Sequence, residues 1–115
     1  MSTKGSYRFK DKFNDIIIHK VYDNHPQSAA RILSVCLYSG ESHLGDALHR
    51  QFEDTTIISN REAYADEEFR YDIHETSSDT NIKAFKRDYY NNKIQWSVLY
   101  EGNLKGFLNE YYEEQ

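Results

Sequence analysis

The stretch Tyr22-Asp23-Asn24-His25-Pro26 comes directly off the apolar run Ile16-Ile17-Ile18 and leads into Ala29-Ala30-Arg31-Ile32-Leu33, so it fixes where a strand ends and a helix begins. Pro26 has its φ already set for a first helical residue and lacks an amide hydrogen that would be orphaned there. Asp23 and Asn24 carry short side-chain oxygens that can accept from the free amides of the first turn. The junction is therefore a positioned polar site, in which Asp23, Asn24 and His25 can orient an anion through the backbone amides beyond Pro26. A plain N-cap is the simpler reading of the same three residues.

The rest of the chain sorts around this junction. Tyr7 and Phe9 alternate with Arg8 and Lys10 as a strand with one wet face, Lys12 to Asp15 supply a turn, and Ile16 to Val21 pairs back as a hairpin under the helix that follows. That helix should run from 26 to 39, with Ala29, Leu33, Cys36 and Leu37 on its apolar side and Gly40 just past its end. Ser42 is placed to cap a second, shorter helix with the stripe Leu44, Ala47, Leu48 and Phe52. The spacing Ser59-x-x-Glu62 reads as a capping box for a helical turn through Ala63, Tyr64 and Ala65. Phe69, Tyr71 and Ile73 alternate with Arg70, Asp72 and His74, which predicts a strand. Residues 82–87 are ambiguous; Asn91-Asn92 is a hairpin turn, and Ile94, Trp96, Val98 and Tyr100 form one face of the strand after it. Leu104, Phe107, Leu108 and Tyr111 give the stripe of a terminal helix whose last turn, at Glu113-Glu114, should fray. The order ββααβββα predicts an α+β fold: an antiparallel sheet of about five strands with two or three helices packed on one face.

A chain of 115 residues is expected to make one domain over 5–115, with residues 1–4 disordered. Nineteen acidic against fourteen basic side chains leave a net charge of −5, which disfavours a direct nucleic-acid binder and suits a protein partner with a basic or neutral patch. Cys36 is the only cysteine, so no intrachain disulfide forms. The absence of an apolar segment after Met1, and of any long apolar run, points to a cytoplasmic protein with no membrane contact. Ten tyrosines and six phenylalanines supply large buried areas and, equally, material for an interface.

Gly5, Tyr7, Phe9, Lys10 and Asp11, then Tyr22-Asp23-Asn24 with Pro26 and Ala29-Ala30, then Asp66 to Ile73, fall in an order that resembles a group of small bacteriophage and prophage proteins. That group carries a Gly-x-Tyr-x-Phe opening, an aromatic-Asp-Gly/Asn-Tyr-Pro turn and a later acidic-aromatic-Arg-Tyr strand. The likeness covers about the first two thirds of the chain. Here His25 stands where the group has Tyr, and Gln27-Ser28 replace a small Gly. The resemblance implies phage origin and an action inside a host bacterial cell, and its class analogy is an anti-defence inhibitor.

No residue set reads as catalytic. His19, His25, His43, His49 and His74 fall on different elements, with no metal-ligand spacing among them, and neither a phosphate loop nor a nucleophile-base pair is present. No metal and no cofactor is therefore expected, nor an enzyme. The acidic run Asp66, Glu67, Glu68 and the tail Glu110, Tyr111, Tyr112, Glu113, Glu114 make the expected partner-binding surface, with carboxylates to steer and tyrosines to bury. Its target would be a host defence protein, a Cas effector subunit above all, blocked where nucleic acid docks. Two alternatives stand beside this. Arg70 and Tyr71, with Arg61, Lys83 and Arg87, can clamp a cyclic nucleotide signal in a sequestering protein. An immunity or antitoxin-like protein covering a basic toxin is the other. A homodimer through the Ile94 to Tyr100 strand or the terminal helix is a further expectation.

Overall fold

The computed structural model describes residues 3–64 and 66–112. Among the described residues six strands form one sheet: β1 (Gly5–Lys10), β2 (Asp15–Lys20), β3 (Thr55–Ile58), β4 (Phe69–Glu75), β5 (Thr80–Tyr90) and β6 (Lys93–Asn103). Three helices, α1 (Pro26–Leu37), α2 (Leu44–Gln51) and α3 (Leu104–Tyr111), and a 3-10 turn at Arg61–Ala63 complete the order. The α+β class is as the sequence pattern predicts. The sheet differs in two respects, having six strands in the order β3-β2-β1-β4-β5-β6 and being mixed, because β1 and β4 run parallel. Short turns do force antiparallel neighbours, but β1 and β4 are joined by the whole β2-α1-α2-β3 excursion, long enough for a crossover. The added strand is β3, four residues paired with β2 from Ile17↔Ile58 to Lys20↔Thr55.

All three helices lie on one face. Tyr7, Phe9, Ile18, Tyr71, Ile73, Ile82 and Ala84 project from that side of the sheet into a core shared with Ala29, Ala30, Leu33 and Cys36 of α1, Ala47 and Leu48 of α2, and Leu104 and Phe107 of α3. Tyr7 and Tyr71 stack at 5.0 Å between ring centroids, and Phe107 meets Tyr71 edge-on. The alternation of β1 and β4 delivers these rings to the same side, since Tyr7 and Tyr71 are register partners.

Local boundaries differ from the expected ones by a residue or two. α1 ends at Leu37, two residues short of the expected 39, with Tyr38 as C-cap and Gly40 beyond it at φ +83°. The second helix has His43 at its N-cap position, one residue past Ser42 and without a side-chain cap bond, and the 3-10 turn uses Asn60, whose side chain accepts from the Glu62 amide at 2.9 Å, in place of Ser59. Asn103 caps α3 by accepting from the Gly106 amide at 2.7 Å. The register of β5 on β6 shifts between Ala84 and Phe85, which pair with Tyr100 and Val98 and leave Leu99 extra. That bulge turns Tyr100 to the helix side while Ile94, Trp96 and Val98 stay on the other, so the expected single face is split. Of residues 1–4, expected to be disordered, Met1 and Ser2 lie outside the described residues, and Thr3 and Lys4 are engaged, through Asn24 Nδ2 donating to the Thr3 carbonyl at 2.8 Å and Lys4 pairing with Asp66 at 2.5 Å. Among the described residues no helix is long and apolar enough to cross a membrane.

Candidate functional site

The junction after β2 is a clasp. Asp23 turns the chain at φ +59°, and Asn24 behind it is completely buried. The Asn24 amide nitrogen donates to the carbonyls of Thr3 and Lys20 at 2.8 and 2.9 Å, its side-chain oxygen accepts from the Tyr7 hydroxyl at 2.9 Å, and its main-chain carbonyl accepts from the Tyr71 hydroxyl at 2.5 Å. Every polar atom of that side chain is spent inside the fold, so Asn24 is not open to a ligand, and Tyr71 is equally closed. Neither Asp23 nor Asn24 caps the helix. His25 occupies the N-cap without a side-chain cap bond, and its ring meets Ser28 Oγ at 2.9 Å.

Asp23 and His25 do border a groove of about 890 Å³ between the start of α1 and the end of α2. Lys20 forms its inner wall, donating to the Tyr22 carbonyl and to Asp54 Oδ2 at 3.1 Å and lying over the Phe52 ring. Arg31 stands exposed on the rim. Charges of both signs line the groove, Asp23 and Glu53 among them, so it does not select an anion by field alone.

The sheet face away from the helices carries a second, denser polar system. The segment leading from β3 to β4 crosses this face and lowers Glu67 onto it, fully buried. Glu67 accepts from Ser6 Oγ at 2.9 Å and Arg70 Nε at 3.0 Å, and its other oxygen lies 2.7 Å from His19 Nδ1. Arg61 binds Ser6 Oγ at 2.8 Å, the Tyr71 carbonyl at 2.9 Å and the carboxylate of Asp72. Tyr64 stacks on His19 with centroids 4.2 Å apart, and the Arg70 guanidinium lies over Trp96 at 4.2 Å. A buried carboxylate is tolerable only with this many donors around it.

The expected acidic, tyrosine-rich surface is accordingly not one surface. Glu67 is interior, Asp66 is exposed but paired with Lys4, and Glu68 is half-buried with its main chain tied to Lys4 and Arg87. On the opposite side of the sheet, Tyr111 packs on Phe107 and Tyr100, while Glu110 and Tyr112 are exposed. Glu113 and Glu114 lie outside the described residues. The expected nucleotide clamp is divided too. Strand alternation puts Tyr71 in the core and Arg70 on the other face, where Trp96 and Glu67 already hold its guanidinium.

The hairpin turn at Asn91-Asn92 is as the sequence predicts, and what sequence reading passed over is the exposed aromatic tip of the β5–β6 arm. Eleven residues on each side of the Asn91-Asn92 turn, both at positive φ, make an arm in a molecule 43 Å along its longest axis. Tyr89 and Tyr90 at its tip are 65 % and 63 % exposed, and Ile94 and Val98 are 45 % and 50 % exposed. Lys83 lies over Phe85 and Arg87 over Tyr89, so the arm is aromatic with basic edges on a chain that is acidic overall. The signal was present in Tyr89-Tyr90-Asn91-Asn92, a turn flanked by two large aromatics that no core position requires. Comparison with protein-family models, with curated proteins and with solved structures finds no match to the chain.

Proposed function

We propose that this is a non-catalytic binding protein of the phage anti-defence kind, which inhibits a host defence protein by stoichiometric contact through the β5–β6 arm. The observation that carries the reading is the run of exposed apolar and aromatic side chains on that arm, Tyr89, Tyr90, Ile94 and Val98. Tyr gives contact area with little side-chain entropy to lose, and large apolar side chains exposed together on one arm, Tyr89, Ile94 and Val98 on one face and Tyr90 on the other, mark an interaction surface. The polar groups that would otherwise suggest chemistry, Ser6, His19, Glu67 and Arg70, are engaged with one another and serve the fold.

The arm changes the expected mechanism of contact. An aromatic hairpin with Lys86, Arg87 and Lys93 near its tip fits an apolar cleft with an acidic rim better than a basic nucleic-acid channel. A Cas effector subunit remains the first partner to try, bound beside its nucleic-acid path. The test is capture from host lysate with the purified chain, followed by reconstitution with the captured subunit. Tyr89→Ala with Tyr90→Ala should abolish capture while Glu110→Ala with Tyr112→Ala leaves it intact. The opposite pattern, or turnover of a substrate by the free chain, refutes the reading.

A second reading, sequestration of a nucleotide signal, draws on the groove between α1 and α2, whose 890 Å³ and exposed Arg31 suit a ligand of that size. A nucleotide released by heating the purified chain, and lost in Arg31→Ala, would favour it.

A further inference from the structure

Strand β6 ends the sheet, and its outer row of backbone N–H and C=O groups has no strand beside it among the described residues. Proteins blunt such edges with short strands, prolines or charges. At the other end of the sheet β3 has only four residues. β6 has eleven, and the seven from Ile94 to Tyr100 contain no charge, proline or glycine. Gln95 and Ser97 are exposed along with Ile94 and Val98, and the stretch is covered only at Trp96, beneath Arg70, and at Leu99 and Tyr100, beside Tyr111. An uncharged, β-prone edge of this length is a template for another strand.

We propose that the strand it receives is β6 of a second copy, antiparallel, about a two-fold axis at Trp96. Three features select this occupant. Its only charges, Lys93 and Glu101, stand near opposite ends, so antiparallel pairing keeps like charges apart, Lys93 facing Leu99 and Glu101 facing Asn91 of the partner copy, and parallel pairing would set like on like. Centring on Trp96 puts Ile94 opposite Val98 of the partner copy at both ends of the ladder, which removes two half-exposed aliphatics from water on each copy. Neighbouring registers lose this. Centred on Ser97, Ile94 would face Tyr100, which the bulge has turned to the opposite side of the sheet. Centred on Gln95, Val98 would face Asn92 in the turn and stay uncovered. The pairing makes a continuous twelve-stranded sheet that takes Ile94 and Val98 into its seam and leaves Tyr89 and Tyr90 at the tips of both arms as the part open to another partner.

Light scattering across a wide concentration series should take the mass from 13.6 kDa toward twice that value. Ile94→Lys with Val98→Lys should hold it at the monomer mass with unchanged circular dichroism. The register has its own test. A chain carrying Ile94→Cys and Val98→Cys together should oxidise to a covalent dimer, since these positions face each other across the axis within disulfide reach. Either cysteine alone should not, because position 94 of one copy is four residues, about 13 Å, from position 94 of the other. A wild-type chain that stays monomeric throughout overturns the proposal and leaves the edge to a strand of some other protein. Dimerisation undiminished in the lysine variant, or single-cysteine chains that cross-link as fully as the double, overturns it as well.

Discussion

Two adjacent acids, Asp66 and Glu67, look alike in the sequence and should behave oppositely when removed. Glu67→Ala deletes the acceptor of Ser6 Oγ and Arg70 Nε and the partner of His19 Nδ1, in a site with no solvent exposure to compensate. Breaking a buried ion pair by removing one partner costs about 3–5 kcal/mol, because the surviving charge is left uncompensated. Arg70 keeps two weaker contacts, the Arg61 carbonyl at 3.2 Å and Glu62 at 3.4 Å, which puts the expected loss near the lower end, about 3 kcal/mol. With a urea dependence of about 1.5 kcal/mol per molar, the unfolding midpoint should fall by about 2 M. Asp66→Ala breaks one exposed pair with Lys4 and should cost about 0.5 kcal/mol or less. Glu67→Gln, which keeps the volume and one acceptor, should fall between the two. Equilibrium unfolding followed by tryptophan fluorescence is a suitable assay, because the lone Trp96 sits on Arg70 within the same network. Equal midpoints for Asp66→Ala and Glu67→Ala would refute the buried-carboxylate account.

Three further outcomes are expected. Gly5→Ala should destabilise by about 1–3 kcal/mol, since its Cβ would lie 2.8 Å from Asn24 Cβ and 2.9 Å from the Phe69 carbonyl oxygen, in a clasp that cannot yield; wild-type stability in urea would contradict this. Burial pushes the Cys36 thiol up to about 12, so a thiol reagent at neutral pH should label it only after denaturant is added, and labelling of the native chain at the rate of a free thiol would count against the packing. Stability should fall as the pH drops below about 4, because Asp11, held by the amides of Phe13 and Asn14, Asp15, held by Arg8, and Asp66, held by Lys4, all have lowered native pKa values, so that the unfolded chain takes up protons first. Burial raises Glu75 and works the other way, since protonating it relieves the fold. Arg8→Met should flatten the acid limb of a urea-midpoint titration, and an unchanged limb would remove Asp15 from the account.

Much of the fold is written locally. Pro26 sets the start of α1, the alternation around Phe9 and Tyr71 sets which rings enter the core, and the Leu104 to Tyr111 stripe sets the last helix. What escapes local reading depends on distance along the chain. Ser6 and His19 lie 61 and 48 residues from Glu67, so nothing near Asp66-Glu67-Glu68 distinguishes the buried acid from the solvated one. The bulge at Leu99 likewise arises in the pairing of two strands, and a period-2 pattern running through Tyr100 carries no trace of it. Asn24 misled for a related reason. Its side chain is at the right spacing for a cap, yet Tyr7, Thr3 and Lys20 compete for it from outside the helix and win.

The place of β1 in the sheet bears on how the chain is made. Gly5–Lys10 can zip onto β2 soon after leaving the ribosome, but its opposite flank waits for Phe69–Glu75, since Gly5 registers with Phe69 and Lys10 with His74. Until then the nascent hairpin carries an open central flank, and the clasp at Asn24 lacks its Tyr71 hydroxyl. Closing that seam joins segments far apart in sequence, a slow step that leaves apolar strand exposed during synthesis.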